Sequence, residues 1–164
     1  MDLFTWSEKY SVGVPAFDRH HQVLFQLIND LHRAMMQGDS FTVARSTFKR
    51  LQDYTQYHFQ TEEKAMHASN YPDFAVHRMQ HERFIDQIMR VCPEFQQPDG
   101  HPSSKLLGLM RRWLRTHIMG SDVKLGEYLR QTGADRLPGV VAEEQTESDS
   151  GQEMPAGREA RTLS

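Results

Sequence analysis

Cysteine is almost missing from the 164-residue sequence: Cys92 stands alone, which excludes an intramolecular disulfide. No apolar run is long enough to span a bilayer. The opening stretch from Met1 to Lys9 lacks both the charged and the apolar regions of a secretory signal, so cytoplasm is the expected compartment. An excess of one charge is lacking too, with 19 Lys and Arg against 22 Asp and Glu, and a net charge of −3 gives no electrostatic ground for binding nucleic acid. The small imbalance belongs to one end, since residues 138–164 hold two Lys and Arg against six Asp and Glu. That end also lacks apolar periodicity and bulky apolar residues, and it reads as a disordered acidic tail following a single domain over residues 1–137.

What is present is helical patterning. Met1 to Phe17 mixes aromatics with Gly13 and Pro15 and reads as an extended arm, ending where Asp18 is placed to cap a first helix. In that helix Phe17, Leu24, Ile28, Leu31 and Met35 recur at gaps of three, four and seven, and Gly38 is placed to stop it. Asp39 and Ser40 are candidate caps for a second helix from about Phe41 to Met66, and Pro72 suits the first turn of a third. Cys92-Pro93 closes the third helix, residues 94–102 form a loop, and Ser103 or Ser104 caps a fourth whose core face carries Leu106, Met110, Trp113, His117 and Leu125. Short turns between long helices predict an all-α, antiparallel up-down-up-down four-helix bundle.

Five histidines and two carboxylates interrupt these apolar faces: His21, His58-x-x-x-Glu62, His77-x-x-x-His81, and His117 with Asp122. Residues four apart share a helix face, so each of the two four-residue pairs presents both side chains to one point. In an antiparallel bundle all seven positions lie toward the same end, most of them within roughly 8 to 14 Å of it at about 1.5 Å per residue. The last pair is the exception. Five residues turn an ideal helix through about 500°, which aims Asp122 some 140° away from His117. Gly120 between them is placed to permit a π-bulge or a loosened turn.

Energetics turn this pattern into chemistry. An ionised carboxylate buried without a partner costs several kcal/mol, and each uncompensated imidazole adds about 1 to 3 kcal/mol. The sum rivals the whole stability of a domain, about 5 to 15 kcal/mol, so cations or a wet polar cavity must compensate. Mixed imidazole and carboxylate donors suit iron, manganese or zinc, and seven are too many for one tetrahedral zinc. A pair of bridged metals uses them all. His32, His67 and His101 have no partner at ligand spacing and read as surface or loop residues.

The chain resembles the bacterial hemerythrins. The resemblance is carried by Trp6 with Tyr10-Ser11-Val12-Gly13-Val14, Asp18-Arg19-His20-His21, His58-Phe59-Gln60-Thr61-Glu62-Glu63, Tyr71-Pro72, His77-x-x-x-His81 and Trp113-Leu114-Arg115-Thr116-His117-Ile118, covering Phe4 to about Leu129. Departures are His20, where Gln is common in the family, and Val123, where Lys is frequent. The resemblance implies two iron ions, Fe2+ or Fe3+. His77, His81 and His117 would hold one and His21 and His58 the other, with Glu62, Asp122 and a solvent-derived oxo or hydroxo bridge between them. It further implies that dioxygen binds at the open position of the two-histidine iron. Trp113, Leu114 and Ile118 would form the apolar oxygen pocket, with Phe59 and Trp6 as secondary candidates. His20 becomes a neighbour of the ligands, not a ligand.

Three functions remain open on the sequence. Reversible dioxygen binding for storage, transport or delivery, with an oxygen-consuming enzyme as recipient, fits a lone bundle expected to be a monomer. A diiron oxidase or peroxidase is a second, although the Glu-x-x-His motif of the carboxylate-rich oxygen-activating bundles does not occur. An oxygen or redox sensor acting through a partner, using the arm or the tail, is the third.

Overall fold

The arm, the four helices and the turns that aim the site are seen in a computed structural model of the chain, which describes residues 2–37, 41–91, 104–137 and 140. The expected stop at Gly38, the caps at Asp39, Ser40 and Ser103, the Cys92-Pro93 stop, the 94–102 loop, His101 and all of the 138–164 tail but Val140 lie outside these residues. A 3-10 turn at Glu8–Tyr10 precedes α1 (Pro15–Met36), α2 (Phe41–Ala68), α3 (Phe74–Val91) and α4 (Ser104–His117). A π-helical turn at Ile118–Asp122 then joins α4 to α5 (Val123–Thr132), so that these three pieces make one long fourth helix. Among the described residues there is no strand, and no helix is long and apolar enough to cross a membrane. Helix α1 touches α2, α2 touches α3, α3 touches α4 and α4 touches α1, which closes the antiparallel four-helix bundle.

The elements form where the apolar stripes and breakers direct. Phe17, Leu24, Ile28 and Leu31 of α1, Leu51 of α2, Phe84 of α3 and Leu106, Met110 and Leu114 of α4 are all fully buried between the helices. Helix α1 starts earlier than expected, at Pro15, because proline presets the helical φ and has no N–H to leave unpaired at the first position. Asp18 therefore does not cap it. Its carboxylate instead accepts from the Ser11 hydroxyl at 2.7 Å and the Val12 N–H at 2.7 Å, tying the arm to the first turn. Helix α2 runs two residues past Met66 and ends where Asn70 takes a left-handed φ of 53° and the Tyr71 N–H reaches back to the Met66 carbonyl. Pro72 consequently falls in the turn ahead of α3, which begins at Phe74.

The arm is packed down. Phe4 stacks on Phe25 with ring centroids 4.3 Å apart, and Asn29 exchanges two hydrogen bonds with the Phe4 backbone, at 3.0 and 2.8 Å. At Gly126 of α5 a β-carbon would lie 2.1 Å from the Val12 carbonyl oxygen, so the absent side chain is what lets the arm cross the fourth helix.

Candidate metal centre

All seven singled-out side chains reach one buried locus. His21, Glu62 and Asp122 are completely buried, and His58, His77, His81 and His117 are at most 4% exposed. They fall into two groups whose donor atoms lie within 4.8 Å of one another: Glu62, His77, His81 and His117 in one, and His21, His58, Glu62 and Asp122 in the other. Donors held about 2.0 to 2.3 Å from a common cation stand roughly 3 to 4 Å apart, so both groups have the dimensions of a metal cage.

The carboxylates stand between the groups. Glu62 Oε2 lies 3.4 Å from His77 Nε2 and 3.3 Å from His81 Nε2, whereas its Oε1 lies 3.6 Å from His58 Nε2 and 4.0 Å from His21 Nε2. Asp122 repeats this arrangement. Its Oδ1 is 3.2 Å from His77 Nε2 and 3.0 Å from His117 Nε2, and its Oδ2 is 3.3 Å from His21 Nε2. Each carboxylate thus offers one oxygen to each histidine group.

The π turn makes the Asp122 half of this arrangement. With hydrogen bonds from i to i+5 it brings residues five apart toward one face, which corrects the misalignment of an ideal helix between His117 and Asp122. The turn anticipated around Gly120 is therefore present. Gly120 does not have a positive φ, and a β-carbon there would meet nothing within 4 Å.

The electrostatics call for positive charge at this locus. Both oxygens of Glu62 and of Asp122, and both ring nitrogens of His21 and of His77, are buried without a hydrogen-bond partner. Burial alone would raise the two carboxyls, yet the facing imidazoles hold both well below the usual carboxylate range. Burial pushes His58 down to about 3. It opposes charge on His77 as well, but the adjacent Asp122 and Glu62 outweigh it and carry His77 up to about 10. Without metal, a proton on His77 faces both carboxylates. Orphaned donors of this type fit a pair of first-row transition ions better than a hydrogen-bonded core, and a loaded metal would displace that proton.

Aromatic rings cover the three-histidine group. Phe59 stacks on His81 at 3.8 Å, Trp113 stacks on His117 at 4.2 Å, and Phe84 stacks on the outer face of Trp113 at 3.9 Å. The structure therefore brings Trp113 and Phe59 to the three-histidine side, whereas the sequence pointed to the open position of the two-histidine side. Leu114 and Ile118, from the same helix, are each 1% exposed. Trp6 packs on Phe25 and Tyr10 at the arm. His67 is exposed as expected, whereas His32 is half-buried with its Nδ1 unpartnered.

Two neighbours had no assigned role in the sequence. His81 Nδ1 lies 3.0 Å from Glu63 Oε1, and His58 Nδ1 lies 3.4 Å from His20 Nδ1. Glu63 entered only as part of the His58–Glu63 motif, with no role, because its partner His81 stands on another helix. His20 was marked only by the missing family Gln.

Comparisons with known proteins agree with this geometry. Residues 12–129 match the model of the hemerythrin HHE cation binding domain. A bacteriohemerythrin of Stenotrophomonas maltophilia is 31% identical over 122 residues, 74% of this chain and 78% of that protein. One from Pseudomonas aeruginosa is 30% identical over 132 residues, 80% of this chain and 85% of that protein. A crystal structure of wild-type hemerythrin superposes with a TM-score of 0.72 at 26% identity, covering 77% of this chain and 98% of that one.

Proposed function

The chain belongs to the hemerythrin family, and on that premise we propose that it binds dioxygen reversibly at a non-haem diiron centre, for oxygen storage, transport or delivery. The observation that carries the proposal is the pair of carboxylates with one oxygen turned to each histidine group. In this assignment His77, His81 and His117 would hold one iron and His21 and His58 the other, with Glu62 and Asp122 shared between the two groups. Two ferrous ions so held would supply the two electrons that dioxygen takes up on binding and returns on release.

The protein's part is to hold and to exclude. Imidazoles on four helices fix the donors, and the depressed His58 keeps its ring free of the competing proton at neutral pH. His81 has Glu63 on its other nitrogen, which fixes the Nδ1 proton and leaves Nε2 for the metal. Trp113 and Phe59 lie directly on His117 and His81, Phe84 backs Trp113, and the buried Leu114 and Ile118 add apolar surface from the same helix as Trp113. Such a wall keeps water from a site where any change in net charge is costly. Five imidazoles against two carboxylates give little anionic stabilisation to high-valent iron, which favours carrying dioxygen over cleaving it.

The test is iron content together with absorption spectra of the reduced, desalted protein under argon, in air, and under argon again. Two irons per chain with charge-transfer bands that appear in air and fade under argon are expected. Bands that form and never reverse would replace this function with an oxidase or redox sensor, and substoichiometric iron would remove the metal assignment.

A further inference from the structure

His20 and His21 are neighbours on α1, both buried, and they serve different partners. His21 Nε2 faces Asp122, whereas His20 Nδ1 faces His58 Nδ1 at 3.4 Å, with ring centroids 5.5 Å apart. Two imidazole nitrogens at that distance are compatible only if one carries the hydrogen and the other a lone pair. The direction follows from the far side of His58. Its Nε2 points into the cluster, 3.6 Å from Glu62 Oε1, and a metal there takes the Nε2 lone pair and leaves the proton on Nδ1. His20 must then accept at Nδ1 and keep its own proton on Nε2. Tyr54 and Tyr57 of α2 pack around the His20 ring, at 5.8 and 5.2 Å, and hold it in that orientation.

The other half of the centre is supported differently. His81 Nδ1 donates to a carboxylate, Glu63, at 3.0 Å. A charged acceptor makes a shorter, stronger bond and raises the basicity of the ligating nitrogen, and a neutral imidazole does less of both. The half with fewer histidines is also the half with the weaker outer partner.

Building on the diiron reading above, we propose that His20 is a positioning residue which orients His58 as its hydrogen-bond acceptor, and that this neutral partner makes the two-histidine half the weaker and more readily emptied of the two metal sites. Position 20 thereby sets the retention of the metal to which the resemblance assigns the open position.

The experiment is a Zn2+ titration of the full-length chain against a chromophoric chelator, with 1H NMR of the imidazole N–H protons in the zinc-loaded protein. Wild type should take up two ions with separable constants. His20→Leu should weaken only the second ion, by about 10-fold or more, and lose or shift the His58 Nδ1–H resonance. His20→Gln retains an acceptor and should stay near wild type, whereas His20→Glu supplies a carboxylate and should tighten the second ion by about 10-fold. Should His20→Leu fail to fold, the Glu variant still decides. Two ions in wild type with a second constant that neither Leu nor Glu moves would overturn the role of His20 alone. Fewer than two ions in wild type would overturn the diiron reading and this one with it.

Discussion

His117 and Asp122 stand five residues apart in the chain, and their side chains meet at 3.0 Å because the helix between them widens into a π turn. A regular α-helix would turn Asp122 away from His117 and leave Glu62 as the one carboxylate between the two histidine groups. The widened turn is held by tertiary packing around it: Ile118 and Asp122 are buried, and the Ser121 hydroxyl donates to Gln80 on α3 at 2.6 Å.

Since no atom lies within 4 Å of a β-carbon at residue 120, Gly120→Ala should preserve two metals per chain and leave the melting temperature unchanged or slightly raised. Metal analysis with circular dichroism checks this. Loss of metal in that variant would return the origin of the turn to glycine flexibility.

His117→Ala removes a donor that faces both His81 Nε2 and Asp122 Oδ1 at 3.0 Å, and should cost bound iron or leave a rapidly autoxidising site. His67→Ala, on the exposed end of α2, should change neither loading nor spectrum. Equal behaviour of the two variants would sink the ligand assignment.

Leu114→Ala opens space in a position 1% exposed, so stability should fall by about 2 to 5 kcal/mol in denaturant titrations. Metal content should hold while autoxidation of the reduced, oxygenated protein speeds up, as water reaches the centre. Unaltered oxidation kinetics would make Leu114 ordinary core.

The metal-free protein should be most stable near neutral pH. His58, lowered from 6.5 to about 3, is neutral in the fold but takes a proton once unfolded, so its stabilisation is present above pH 6.5 and is lost as the pH falls toward 3. His77, raised to about 10, contributes fully below pH 6.5 and loses that contribution as the pH rises toward 10. Melting curves of chelator-treated protein across this range test both limbs, and His77→Gln should flatten the alkaline one.

Asn29→Ala would strand the buried N–H and carbonyl of Phe4, and should cost about 1 to 3 kcal/mol in chemical denaturation while leaving metal content intact. A loss of metal would show that the arm supports the centre as well as the core.

Helix count, the bundle and the seven converging residues were legible in the chain because they are periodic: an apolar stripe, and pairs at four-residue spacing, fix a face whatever lies opposite. The π turn anticipated at Gly120 is present, and it needs no positive φ at that glycine. Asp18 was misplaced as a cap because the preset φ of Pro15 starts α1 earlier and frees that carboxylate for the arm. Relationships across helices left no periodic trace. That Phe59 lies flat on His81, that Trp113 covers the three-histidine side, that His58 turns one nitrogen to His20, and that each oxygen of Glu62 and Asp122 faces a different group were decided only when four helices packed at one register. The sequence determines which side chains share a helix face, because helical geometry is local; which of them meet across the bundle depends on rotations and depths that only the shared core sets.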